Sequence, residues 1–109
     1  MASLKKIESF ALISVYDKSN LRFLCSLLKK NKIGIISTGS TSKKIKSLGY
    51  NCFEISKLTK FEEVLDGRVK TLHPNIYISI LHKRNENKQK QTFNKLKFPK
   101  IDFVIVNLY

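Results

Sequence analysis

The chain has 109 residues, room for one domain and a single core. Hydrophobic residues make up 42% of it, an ordinary share for a folded globular chain, and no apolar run reaches the length of a membrane span. The net charge of +13 is carried almost wholly by lysines scattered over the whole length, without the interleaved aromatics of a base-stacking platform, which argues against nucleic acid as the main partner.

Phe10-Ala-Leu-Ile-Ser-Val15 is a short continuous apolar run, the pattern of a strand buried on both faces. Asp17 or Ser19 then stands where a helix cap belongs, ahead of Leu21, Leu24, Cys25 and Leu28 at helical spacing. Lys29, Lys30 and Lys32 suit the negative pole at that helix's end. Ile33 to Ser37 reads as a second buried strand. Thr38-Gly-Ser-Thr41 leads into a short amphipathic helix with Ile45 and Leu48 on one face and Gly49 as its left-handed terminator.

Asn51 to Ile55 reads as a third strand, Lys57 to Leu65 as a short helix, and Asp66 to Pro74 as a loop. Asn75 to Leu81 fits strand or helix equally. The polar, lysine-rich stretch from Asn85 to Lys97 fits an exposed helix or loop, and Ile101 to Tyr109 is a clear strand. Strands alternating with helices over short connections predict an α/β domain around a parallel sheet with right-handed crossovers.

Several bulk features carry little chemistry. Arg22, Arg68 and Arg84 are the only arginines, and lysine, isoleucine and asparagine are abundant together, as an A/T-rich coding sequence would make them. Cys25 and Cys52 sit apart among apolar neighbours and read as reduced, buried thiols. His73 and His82 lack companions at ligand spacing, so no metal is expected. With no signal-peptide core at the N-terminus, a cytoplasmic location is expected.

Two segments could carry chemistry. Ser37-Thr-Gly-Ser-Thr41 lies between a strand and a helix start, where free backbone N–H groups and the positive helix pole favour an anion. Gly39 lets a phosphate approach the backbone, and Thr38, Ser40 and Thr41 add hydroxyls; the same residues would also make a plain capping turn. In Asp66-Gly-Arg-Val-Lys-Thr-Leu-His-Pro74, Arg68 and Lys70 project to one side if the backbone is extended, a planar fork beside a mobile charge. A solvated basic turn would have the same composition. Lys18, Asn107 and Tyr109 fall at the same end of the sheet, the end where open parallel sheets bind ligands.

In order along the chain, Ala11-Leu-Ile-Ser-Val-Tyr-Asp-Lys18, Ile36-Ser-Thr-Gly-Ser-Thr41, Asp66 to Pro74 and Val106-Asn-Leu-Tyr109 resemble the start of the bifunctional phosphoribosylaminoimidazolecarboxamide formyltransferase and IMP cyclohydrolase family. The run Gly67-Arg-Val-Lys-Thr-Leu-His-Pro74 is the most specific of these; the other blocks are shared with methylglyoxal synthase and with the allosteric domain of carbamoyl phosphate synthetase.

The resemblance implies a methylglyoxal-synthase-like, three-layer α/β domain with a mainly parallel sheet. Residues 1–109 are then expected to form the first part of the cyclohydrolase domain, incomplete at its C-terminus and without the transformylase domain. The implied reaction is dehydrative closure of 5-formamido-imidazole-4-carboxamide ribotide to inosinate. Lys70 and Tyr109 would be catalytic. Lys18, Thr38, Gly39, Ser40 and Thr41 would hold the phosphate and ribose side, and Arg68, Thr71 and Asn107 the reacting part or its surroundings. No cofactor is expected for this step, 10-formyltetrahydrofolate serving the missing domain, and a homodimer is expected of the longer family members. Ser40 stands where the family has a second glycine, and Tyr16 where it has a small residue. A regulatory module binding a phosphorylated effector, or an inactive remnant, are the alternatives.

Overall fold

The computed structural model describes residues 7–60 and 73–107. Four strands make one wholly parallel sheet: β1 (Phe10–Ser14), β2 (Gly34–Ser37), β3 (Phe53–Glu54) and β4 (Ile101–Val106), in the order β3-β2-β1-β4. Among the described residues five helices accompany them: α1 (Leu21–Lys30), α2 (Gly39–Ser47), α3 (Ile55–Thr59), α4 (Pro74–Leu81) and α5 (Asn87–Leu96).

The continuous apolar strands are explained by a helix layer on each face. Alternate residues of β1 and β2 point opposite ways. Ala11, Ile13 and Ile35 join Leu21, Cys25, Leu28 and Ile45 from α1 and α2 in one core. Phe10, Leu12 and Ile36 join Ile55, Ile76, Phe93, Phe98 and Ile101 in the other, beneath α3, α4 and α5. The expected three-layer α/β architecture is therefore present.

The strand order fixes where a ligand can sit. From β1 the chain moves outward to β2 and β3, then returns to lay β4 on the opposite side of β1. Connections thus diverge at β1, and the carboxyl ends of strands around such a reversal form the crevice used for binding in open α/β sheets.

Several local expectations needed correction. Neither Asp17 nor Ser19 caps α1: Asn20 occupies the N-cap without a side-chain bond, and the Asp17 Oδ1 instead accepts from the Ser19 N–H at 2.9 Å. The third strand shrinks to Phe53–Glu54, because α3 begins at Ile55, whose buried side chain is taken into the second core. Pro74 belongs to a helix rather than a loop. It is the first residue of α4, and the His73 ring accepts from the Asn75 N–H at 3.1 Å as the cap. The lysine-rich stretch is helical as α5, anchored by Phe93 stacked on His82 with ring centroids 4.1 Å apart. Gly49 does take a left-handed backbone, with φ of 92°.

The β4 edge is the least covered part of the sheet. Phe103, Val104 and Val106 are exposed, and β1 is its only strand partner among the described residues. No helix among the described residues is long and apolar enough to cross a membrane.

Candidate ligand site at the carboxyl end of the sheet

Three strand ends meet on one rim. Beyond β1 lie Val15 to Lys18, beyond β2 lie Thr38 to Thr41, and beyond β4 lies Asn107. Six of the residues singled out in the sequence (Lys18, Thr38, Gly39, Ser40, Thr41 and Asn107) thus share this end. Arg68, Lys70, Thr71 and Tyr109 lie outside the described residues.

The first turn of α2 is not capped by the side chain that precedes it. Thr38 leaves β2 with extended backbone at the N-cap position, yet its side chain does not cap the helix. Its hydroxyl is buried and donates instead to the Ser14 Oγ at 3.1 Å. The helix ladder begins where the Ser42 N–H donates to the Thr38 carbonyl at 2.9 Å. The N–H groups of Ser40 and Thr41 precede it, in the turn where a helix has no earlier carbonyl of its own to receive them. Gly39 has φ of 20°, a turn out of the strand that a residue with a Cβ takes less readily. Ser40 is exposed on this turn. Such a turn, at the positive pole of a nine-residue helix, favours an anion.

Lys18 brings a positive charge to the same place. Its ammonium donates to the Val15 carbonyl at 3.0 Å and to the Tyr16 carbonyl at 3.2 Å. The Thr41 hydroxyl donates to that same Val15 carbonyl at 3.3 Å, and the Val15 N–H approaches the same Thr41 Oγ1 at 3.3 Å. One carbonyl oxygen therefore receives both the ammonium and the hydroxyl, which fixes the charge beside the first turn of α2.

The Asn107 carboxamide is bonded to the loop after β1. Its Oδ1 accepts from the Tyr16 N–H at 2.7 Å and the Asp17 N–H at 3.1 Å, and its Nδ2 donates to the Asp17 carbonyl at 2.8 Å. The Asp17 carboxyl is held below its usual range, first by the Ser19 backbone N–H and hydroxyl and then by the charge of Lys18.

Two polar groups were given no role of their own from the sequence. Ser14 receives the Thr38 hydroxyl, and its signal was a polar residue closing an otherwise apolar strand. Ser37 is fully buried beside the cradle, and its Oγ has no partner among the described residues. A 260 Å³ cavity lies on the α1 side of the same rim, lined by Val15, Asp17, Leu24, Ile105 and Asn107 among others. Among the described residues no three histidine, cysteine or acidic side chains gather as a metal site would require.

Comparison with known proteins gives this geometry its relatives. The family model of the MGS-like domain matches residues 20–109. The chain is 50% identical over 99 residues to the bifunctional purine biosynthesis protein PurH of Fusobacterium nucleatum, covering 91% of this chain and 20% of that protein. It is 42% identical to the protein of the same name from Bacteroides thetaiotaomicron over 109 residues, 100% of this chain and 21% of that one. The chain thus spans about a fifth of the length of these relatives. Among solved structures, one described as the crystal structure of ForH superposes with a TM-score of 0.81 at 27% identity, covering 94% of this chain and 53% of its own. The chain belongs to the MGS-like domain family, and it is similar to a part of the PurH purine biosynthesis proteins.

Proposed function

We propose that this chain forms the phosphate-holding part of an IMP cyclohydrolase site, acting in the last ring closure of purine synthesis. The observation that carries the reading is the placement of the first turn of α2 at the carboxyl rim, with the Lys18 ammonium tied to the Val15 carbonyl that Thr41 also binds. That is a binding place for a phosphate monoester such as a ribotide carries.

The reaction needs positioning more than activation. The carboxamide nitrogen attacks the formyl carbon of the same molecule, forming the new C–N bond. The formyl oxygen then leaves as water, taking one proton from the carboxamide nitrogen and one from the formamido nitrogen. Anchoring the phosphate at α2 holds the ribotide while its two arms are folded together. Lys70 and Tyr109 would carry protons to the departing oxygen, and Arg68 and Thr71 would act around the reacting groups. No metal or organic cofactor enters this step. In the longer relatives 10-formyltetrahydrofolate would serve a separate transformylase domain, within a homodimer.

Titrating the chain with inosinate, the product, while following heat tests the reading. Saturable binding with Kd on the order of micromolar, weakened about tenfold in Thr41→Val and lost in a double Arg68→Ala, Lys70→Ala variant, would support it. A folded chain that takes up no inosinate would overturn it. Binding of inosinate without any ring closure in the presence of the formamido ribotide would turn the assignment towards a regulatory domain.

A further inference from the structure

We infer that Asn107 is a positioning residue, the clasp that sets the loop after β1, and with it Lys18, against the phosphate turn of α2. The inference rests on the proposed nucleotide site and assigns Asn107 a role within it other than touching the ligand.

The carboxamide has two hydrogen-bonding ends, and both are spent on protein. Oδ1 takes two N–H groups, from Tyr16 and Asp17, and Nδ2 reaches the Asp17 carbonyl. These bonds join residues 90 and 91 positions apart and bridge the β1 and β4 ends, at the strand reversal. The same loop is held from its other side, the Lys18 ammonium on the carbonyls of Val15 and Tyr16 and the Thr41 hydroxyl on Val15. Tyr16 is thus fixed at its N–H by Asn107 and at its carbonyl by Lys18. If the clasp opened, the loop would lose these ties to the end of β4, and the carbonyls on which Lys18 and Thr41 converge would shift together. A side chain that supplies two acceptor contacts and one donor contact to consecutive backbone units matches an asparagine, and few other residues carry both functions at this length. Asn107 therefore acts on ligand through the backbone of Tyr16 and Asp17.

The test compares wild type, Asn107→Ala and Asn107→Asp by amide hydrogen exchange without ligand and by inosinate titration. Asn107→Ala is expected to speed exchange at the Tyr16 and Asp17 amides about tenfold or more, and to weaken inosinate binding about tenfold. Asn107→Asp keeps an oxygen facing both N–H groups and is expected to retain their slow exchange, a rescue that general destabilisation would not give. Should Asn107→Ala melt at the working temperature, the Asp variant, with exchange at these two amides read against the rest of the chain, decides alone: fast exchange there overturns the clasp. Unchanged exchange in Asn107→Ala with a loss of inosinate binding makes Asn107 a direct ligand contact and overturns the inference while leaving the site intact. A wild-type chain that binds no inosinate overturns the nucleotide site, and this role of Asn107 falls with it.

Discussion

Gly34 lies under the ring of Phe10 so closely that a Cβ there would stand 2.5 Å from Cε2 and 2.6 Å from Cδ2 of the ring, and 2.9 Å from Ile7 Cγ2. Phe10 is almost wholly buried and packs edge-on to Phe53, with centroids 6.0 Å apart, so its ring is held from a second side. We predict that Gly34→Ala destabilises the chain by about 1–3 kcal/mol through overpacking. Chemical denaturation checks this. A midpoint equal to wild type would mean the ring can yield after all.

Ser79 joins α4 to the start of β4 at a fully buried point. Its hydroxyl donates to the Pro99 carbonyl at 2.5 Å and accepts from the Ile101 N–H at 3.0 Å. Arg84 adds to the joint, donating to the carbonyls of Ser79 at 3.1 Å and Ile101 at 2.6 Å. We predict that Ser79→Ala costs about 1–3 kcal/mol, because the Ile101 N–H is left buried and unpaired. Ser79→Ala with unaltered stability would show that a water replaces the hydroxyl.

Two groups give opposite pH signatures. The Asp17 carboxyl is lowered in the folded chain, so its contribution is present above the ordinary value of 3.8 and disappears as pH falls through the lower folded value. Asp17→Asn should remove that acid-limb increment. The Cys25 thiol is raised, by burial first and by neighbouring Cys52 second. Its contribution is complete below the ordinary value of 9.0 and is lost as pH rises through the higher folded value. We predict that Cys25→Ala loses the alkaline fall in stability, and that thiol reagents modify half-buried Cys52 before buried Cys25. Equal labelling rates would contradict the packing around Cys25.

The exposed β4 edge has an association cost. Phe103, Val104 and Val106 are 46%, 50% and 63% exposed, an apolar strip along a strand with one free side among the described residues. We predict concentration-dependent self-association of the isolated chain, reduced by Val104→Lys. Sedimentation velocity tests this. A monomer at every concentration would discount the edge.

How much of this was written in the sequence depends on the range of the interactions. The strands β1, β2 and β4 and the helix α1 were legible because their apolar spacing is local, and Gly49 because a left-handed stop is a property of one residue. The start of α4 was legible and misread: a proline after a histidine that can cap is a helix-opening signal, but the apolar run Ile76 to Leu81 has no clear helical period. The shortening of β3 was not legible, since it follows from Ile55 being drawn into a core assembled from distant strands. At the rim the sequence placed Lys18, Thr38, Gly39, Ser40, Thr41 and Asn107 at one end of the sheet. It gave no sign that the carboxamide of Asn107 is turned on the Tyr16 and Asp17 backbone, because that pairing depends on β4 lying beside β1.

The order of synthesis gives the placement of β4 a further consequence. A chain leaving the ribosome releases β1, α1, β2 and α2 first, and these can dock on one another while later residues are still being added. Residue 107 emerges after roughly a few seconds more at ordinary elongation rates. Through that interval the side of β1 that β4 will occupy stands open, and the loop carrying Lys18 has no clasp. The nascent chain therefore passes through a stage in which the first turn of α2 exists before the loop carrying Lys18 is tied to β4, and chaperone binding at the vacant side of β1 would prolong that stage.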